Sequence, residues 1–364
     1  MDHVAVPFVP RRQGPSSPAS HPDACPSPAS LVPASTPSPA AGDVPQRPTT
    51  LPMTIRVDGV QPNRVDPDIL GVVYRTTALA LGMLSHEHSI KQLVCIGATA
   101  IHVWGTRTAK DIIYPTTPCC RGDGCRYMKP SDHEMERWVR FFLDKVRHCS
   151  PPHDVRHIDP DSDGEVYGQF DPCNWVHDAE DRCTSAGKEL TDENVMLHWD
   201  PLGAGVISTQ AETVSHVAKL RSQQLAAEGV QDAEAAQRHA VDYRTYLVDG
   251  ACTLAHELVH CFMRFLAGNV AVFTPRRLMP KGYDDDDFPG MGESGRTWEK
   301  LTLGGCVTMG KPRKEGSRPR LWIDQGNREA EVDPDDIRNM VVGKLQFPLK
   351  TIGKWYKVHS KRRP

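Results

Sequence analysis

From about Asp68 to Leu84, apolar residues recur at helical spacing (Leu70, Val73, Ala78, Leu81, Leu84), a pattern that predicts an amphipathic helix. Asp132 to Val146 repeats it, with Met135, Trp138, Phe142 and Val146 on one stripe. Between these, Leu93–Ile96 and Ala100–Trp104 are short apolar runs broken by Gly97, which predicts strands. Met53–Val60 (MTIRVDGV) alternates and reads as a further strand, as does Val195–Trp199 (VMLHW). The segment from Ser150 to Thr191 is polar and rich in Pro, Asp and Cys, so a long irregular excursion is expected there. Helical patterns over about Thr209–Glu228 and Asp232–Leu247 precede another helix, which starts near Asp249 as N-cap and stops at Gly268. No 20-to-50-residue repeat is present. These elements predict one α+β domain over residues 53–350.

Composition sets the boundaries of that domain. Residues 1–52 are dominated by Pro, Ser and Ala and carry too little apolar surface to offset chain entropy, so a disordered tail is expected. Residues 351–364 include Lys354, Lys357, Lys361, Arg362 and Arg363 and read as a solvated basic tail rather than a nucleic-acid patch. Across all 364 residues the formal net charge is −3, which argues against nucleic-acid binding by bulk electrostatics. The chain has no secretory apolar core, no run of membrane-spanning length and no Asn-x-Ser/Thr acceptor, so intracellular residence without membrane insertion is expected. The 11 cysteines include Cys119, Cys120, Cys125, Cys149, Cys173 and Cys183 close together, without C-x-x-C pairing. Free thiols are the expectation in a reducing compartment, with Cys173–Cys183 the best bridge candidate in an oxidising one.

The candidate chemistry lies in His256-Glu257-Leu258-Val259-His260. One helical turn separates the histidines, so both imidazoles leave the same face and can grip one metal ion. Glu257 sits where a carboxylate can take a proton from a metal-bound water. Every neighbour from Thr253 to Phe262 outside the motif is uncharged: Leu254, Leu258, Phe262 and Phe265 form one buried face, and Cys252, His256 and His260 the opposite one. A carboxylate on such a helix is expensive unless a metal or partner compensates it.

TLAHELVHCF resembles the extended active-site helix of the zincin metallopeptidases. The resemblance implies a zincin-like α+β fold, zinc held by His256 and His260, Glu257 as general base, and a peptide or protein substrate. It also implies a third protein ligand. The metzincin pattern is excluded by Met263 and Leu266, and the aspzincin pattern by Asn269 and the lack of its Gly-Thr-x-x-Asp segment. The gluzincin arrangement takes a Glu from a second helix, and Gly292-Glu293-Ser294-Gly295-Arg296-Thr297-Trp298-Glu299 stands in that place. On a helix, residues six apart point about 120° away from each other, so only one glutamate is expected to face the metal. Glu293 is preferred, because Gly292 and Gly295 permit close approach, with Thr297 as a supporting hydrogen-bonder. Glu299 stays open, and the run Asp284–Asp287 is a remoter alternative. Tyr283 and Arg296 are candidate oxyanion donors, and Val195–Trp199 a candidate edge strand for peptide pairing. The alternative function is a non-catalytic zincin-like module in which zinc serves stability or protein binding.

Two other signals fade on inspection. Gly305–Lys311 copies most of a phosphate-binding loop but is followed by Pro312 instead of Ser or Thr. Asp159-x-Asp161-x-Asp163-Gly164 copies half of a calcium loop, yet its twelfth position is Phe170 instead of Glu.

Overall fold

A computed structural model describes residues 53–57, 60, 64–107, 131–157, 168–173, 175–190, 192–267, 274–280, 292–310 and 318–357. The segments 1–52, Tyr283 to Asp287, Asp159 to Gly164 and 358–364 lie outside the described residues, as does Asn269. The fold is mixed α+β with two four-stranded sheets.

The chain begins with β1 (Ile55–Val57). Helix α1 (Pro67–Ser85) starts at Asp66, whose side chain accepts from the Asp68 amide at 2.8 Å, and Pro67 sits in the first turn where its missing N–H costs nothing. Helix α2 (Glu87–Arg107) follows almost at once. Helix α3 (Asp132–His148) is capped by Ser131 and buries Met135, Trp138, Phe142 and Val146, the stripe expected of it, together with Val139 and Leu143. Next come β2 (His153–Arg156), β3 (Gly168–Pro172), α4 (Val176–Ser185), α5 (Asp192–Leu197), α6 (Pro201–Ala204) and β4 (Gly205–Gln210). Helix α7 (Ala211–Gly229) leads into α8 (Ala233–Ala267), a single helix of 35 residues. After a 3-10 turn at Arg276–Leu278, α9 (Ser294–Thr302) enters the second sheet, made of β5 (Cys306–Gly310), β6 (Arg320–Asp324), β7 (Arg328–Val332) and β8 (Thr351–Lys357). Helix α10 (Pro334–Val341) lies between β7 and β8 in sequence.

The first sheet has the order β1-β2-β4-β3, with β1, β2 and β4 parallel and β3 antiparallel at one edge. The second is an antiparallel meander, β5-β6-β7-β8. Helix α8 is the spine of the molecule and packs against α1, α7, α9 and β3. Phe265 fixes its C-terminal half. The Phe265 ring centroid lies 4.9 Å from Trp199, 5.8 Å from Phe142 and 6.2 Å from Trp175, and burying each such ring stabilises by about 1.5–3 kcal/mol.

Several expected elements differ. Leu93–Ile96 and Ala100–Trp104 belong to helix α2 instead of strands. The exposed stripe of α2, Glu87, Lys91, Cys95 and His102, is thinly charged beyond Lys91, and the buried Leu93, Ile96, Ala98, Ala100, Ile101 and Trp104 crowd between its members, so the helical period is weak in the sequence. Gly97 is a contact point there, since a Cβ would lie 2.7 Å from Met135 Sδ. Val195–Leu197 is helical in α5, with Val195, Met196 and Trp199 buried. The supposed irregular excursion contains β2, β3 and α4. Asp249 is a buried residue inside α8, not an N-cap, so the two helices expected there are one. Thr351–Lys357, the start of the expected basic tail, forms β8. Cys173 and Cys183 are both free thiols. Among the described residues, no single helix is long and apolar enough to cross a membrane.

Candidate metal centre

Helix α8 positions the two histidines one turn apart, with ring centroids 5.0 Å apart and their Nε2 atoms at 3.2 Å. Glu293 arrives from α9, but not from within that helix. It is the N-cap, and its Oε2 accepts from the Arg296 amide at 2.5 Å while Oε1 turns towards the histidines. Oε1 lies 3.3 Å from His256 Nε2 and also against His260 Nε2.

His256, His260 and Glu293 together offer three donor atoms that all lie within 4.8 Å of one another. Four-coordinate bonds of about 2.0–2.1 Å to N and O place ligand atoms about 3.3 Å apart, and two edges of this triangle, at 3.2 and 3.3 Å, meet that spacing. Glu293 Oε1 is buried and makes no hydrogen bond of accepted geometry, although both imidazoles are beside it. A buried carboxylate oxygen is normally satisfied, so convergence of its lone pairs with two Nε2 atoms fits a shared cation. The cluster can therefore hold a metal ion.

Two glycines make the approach possible. A Cβ on Gly295 would sit 2.4 Å from the His256 ring, and one on Gly292 would overlap the Pro275 carbonyl at 1.8 Å. Only a residue without a side chain lets the start of α9 lie on the imidazole.

Glu299 occupies a supporting position. Its Oε1 accepts from His256 Nδ1 at 2.5 Å and its Oε2 accepts from the Val307 amide of β5 at 2.8 Å. A carboxylate behind a histidine fixes the proton on Nδ1 and leaves the Nε2 lone pair for a metal. Of the two glutamates only Glu293 belongs to the donor cluster, in line with the expectation that just one of them faces the metal. Glu293 precedes the helix, so the two carboxylates reach opposite nitrogens of His256. Ser294 Oγ lies 3.2 Å from His260 Nδ1 and supports the second ring. Thr297 does not have the supporting role expected of it: its hydroxyl donates to the carbonyls of Leu278 and Glu293 and so braces the approach of α9. Neither Glu299 nor Ser294 carries a distinguishing sequence signal beyond nearness to Glu293.

The electrostatics favour positive charge at the ring nitrogens. Burial works against charge on His256, but Glu293 and Glu299 outweigh it and hold its pKa well above the usual value. Burial likewise opposes ionisation of Glu293, and the two histidines outweigh it, driving its pKa well below the ordinary carboxylate range. Cys252, one turn before His256, is kept a neutral thiol by burial and by the negative charges of Glu299 and Asp249.

Through His260 the cluster borders a cleft of about 360 Å³ lined also by Glu257, Met263, Arg264, Trp104, Thr274 and residues of β3. Strand β3 lies close to α8 there, since a Cβ on Gly168 would be 2.8 Å from Thr253 Cγ2 and 3.6 Å from Glu257 Cγ. The cleft strand is thus β3, and the expected candidate Val195–Trp199 is part of the core. Hydrogen-bonded pairs alternate in an antiparallel ladder. The register of β3 on β4, together with the Cys173 amide donating to the Ala204 carbonyl at 2.9 Å, turns the backbone N–H and C=O groups of Gln169 and Asp171 towards β4. Gly168 and Phe170 therefore point their N–H and C=O groups outward at the sheet edge. Of the candidate oxyanion donors, Arg296 is exposed and outside the residues lining the cleft, and Tyr283 is outside the described residues.

Comparison with protein families, with characterised proteins and with solved structures finds no match.

Proposed function

We propose that the chain is a zinc-dependent peptidase of the zincin kind. The reading is carried by one observation: His260 of the His256–His260–Glu293 cluster lines a cleft together with Glu257 and with β3, the edge strand of its sheet among the described residues. Two imidazoles and one carboxylate suit zinc in a hydrolytic site, where three protein ligands leave a position for water. Zinc bound there would supply Lewis acidity, polarising the scissile carbonyl and lowering the pKa of water from about 16 towards 7.

The chain's own groups do the rest. Glu257 takes the proton of the attacking water and delivers it to the leaving amine. The outward backbone groups of Gly168 and Phe170 pair with an extended peptide and hold its scissile bond over the site. Glu299 keeps the His256 proton on Nδ1, so the ring presents a lone pair throughout.

Metal analysis of the purified protein tests the proposal. About one zinc per chain is expected, with peptide cleavage abolished by a chelator and restored by zinc. Glu293→Ala should lose both zinc and cleavage. Full zinc occupancy in Glu293→Ala would sink the ligand assignment. Zinc without turnover in the wild type, with thermal destabilisation on chelation, would favour a structural module instead.

A further inference from the structure

Strand β8 is exposed from Ile352 to Lys357, with only Thr351 partly buried. It forms one edge of its sheet, with β7 on its inner side and no neighbour on the other among the described residues. Ile352, Trp355 and Tyr356 are 40%, 37% and 46% exposed, although a strand of an antiparallel sheet ordinarily buries one face. Their apolar surface is split between two faces. Tyr356 stands on the face of Trp322, whose ring lies 6.0 Å away on β6. Lys357 is paired with Arg328, and Arg328 Cζ stands 4.7 Å over the Trp355 ring, so Trp355 and Lys357 share the other face. The Asp333 amide donates to the Lys350 carbonyl at 2.9 Å, so the backbone groups of Ile352 also turn towards β7 and those of Thr351 turn away. The same alternation along β7 turns Tyr356 inward and leaves the N–H and C=O of Lys357 at the edge.

The charge of this edge has one sign. Residues 351–364 carry Lys354, Lys357, Lys361, Arg362 and Arg363 and neither Asp nor Glu. Arg320 is paired with Glu331 at 2.6 Å, whereas Arg328 donates to the neutral Gln325 side chain at 2.8 Å. Lys354 and Lys357 form no ion pair among the described residues. A second copy of the chain is a poor occupant. The antiparallel register that sets Trp355 opposite Tyr356 also sets Lys354 opposite Lys357 twice, and like charges directly opposite are destabilising. A nucleic acid laid across the sheet meets Asp324, Glu329 and Glu331, which share the face of Trp322 and Tyr356. A lipid surface covers one face of β8 and leaves the aromatic ring of the other in water. A strand added at the edge covers both faces at once, and carboxylates on it meet Arg328, Lys354 and Lys357.

We propose that the edge of β8 docks an extended, Asp- and Glu-rich segment of another protein, which joins the sheet as a further strand. The proposal does not depend on the peptidase reading. Full-length Glu257→Gln protein, chosen so that the probe stays uncut, would be titrated with an end-blocked fluorescent peptide of about eight residues. In it two Glu alternate with two Val, so that both faces of the added strand carry both residue types. The same peptide with Gln in place of Glu is the comparison. The Glu peptide is expected to bind at least about fivefold tighter at about 0.1 M salt, and the preference should fade at about 1 M. Hydrogen exchange should slow within residues 351–357 when it is bound. Lys354→Gln combined with Lys357→Gln should remove the preference with thermal melting unchanged, and Trp355→Ser should weaken both peptides.

Equal affinity for the two peptides, or no binding of either, overturns the proposal. So does a preference that survives the double lysine variant, or exchange slowed in β3 instead of β8, which would place the peptide in the cleft. Tighter, lysine-dependent binding of an oligouridine or of phosphatidylserine vesicles than of the Glu peptide overturns the class of partner. A dimer in sedimentation that dissociates on Trp355→Ser overturns it in favour of a second copy.

Discussion

Replacing Glu299 by Gln keeps the side chain's shape and removes its charge, and the site should respond strongly. The carboxylate is buried and accepts two hydrogen bonds, from His256 Nδ1 at 2.5 Å and from the Val307 amide at 2.8 Å. A glutamine has one accepting oxygen and one donating NH2. If its oxygen faces His256, the NH2 meets the Val307 N–H, donor against donor, and an unsatisfied buried amide costs about 1–3 kcal/mol of stability. If the amide is turned round, the NH2 faces Nδ1, which must then accept. The imidazole proton moves to Nε2, the atom needed by the metal. Partners behind metal-binding histidines are worth about 10–100-fold in affinity, equivalent to about 1.4–2.8 kcal/mol. Glu299→Gln is therefore expected to weaken zinc binding by about 10–100-fold, measured by competition with a chromophoric chelator near neutral pH. Circular dichroism would establish that the variant is folded. A folded Glu299→Gln protein that binds zinc as tightly as the wild type would refute the reasoning.

Gly295→Ala places a methyl 2.4 Å from the His256 ring. The ring or the start of α9 must move, so zinc affinity should fall at least about tenfold and stability by about 1–3 kcal/mol. Gly229→Ala, where a Cβ meets nothing within 4 Å, is the control and should leave metal titrations unchanged. His153 on β2 tests the core independently: burial lowers its pKa from 6.5 to about 4, so the unfolded state binds its proton first as pH falls. Stability should drop by about 3 kcal/mol from this residue between pH 6.5 and about pH 4, and no further below that. Urea unfolding across this window should give a shallower pH slope for His153→Gln; equal slopes would contradict the burial argument.

The parts of the fold legible in the sequence are those with one polar and one apolar face. Helix α3 displays its buried stripe from Met135 to Val146 openly, whereas in α1 the expected Val73, Leu81 and Leu84 are buried, Leu70 is partly buried and Ala78 is exposed. Helix α2 hides its period because its exposed stripe carries Cys95 and His102 instead of a run of charges, and its Val and Ile content imitates strands. Strand β3 was hidden for the opposite reason. Gly168-Gln-Phe-Asp-Pro is an edge strand with polar residues turned outward, and its place beside β4 depends on a partner far along the chain. At the site, the histidines were legible because their spacing is local, and Glu293 because its flanking glycines advertise close packing. The place of Glu299 behind His256 was not legible, because it depends on where α9 begins and on the approach of β5.

The most direct measurement compares zinc-loaded wild-type and Glu257→Gln proteins on a peptide mixture, with cleavage followed by mass spectrometry and zinc quantified in the same samples. Glu257 is expected to move the proton without holding the metal, so the variant should keep about one zinc per chain and lose about 10²–10⁴-fold in rate. Cleavage by Glu257→Gln at the wild-type rate, with zinc in place, would contradict the account.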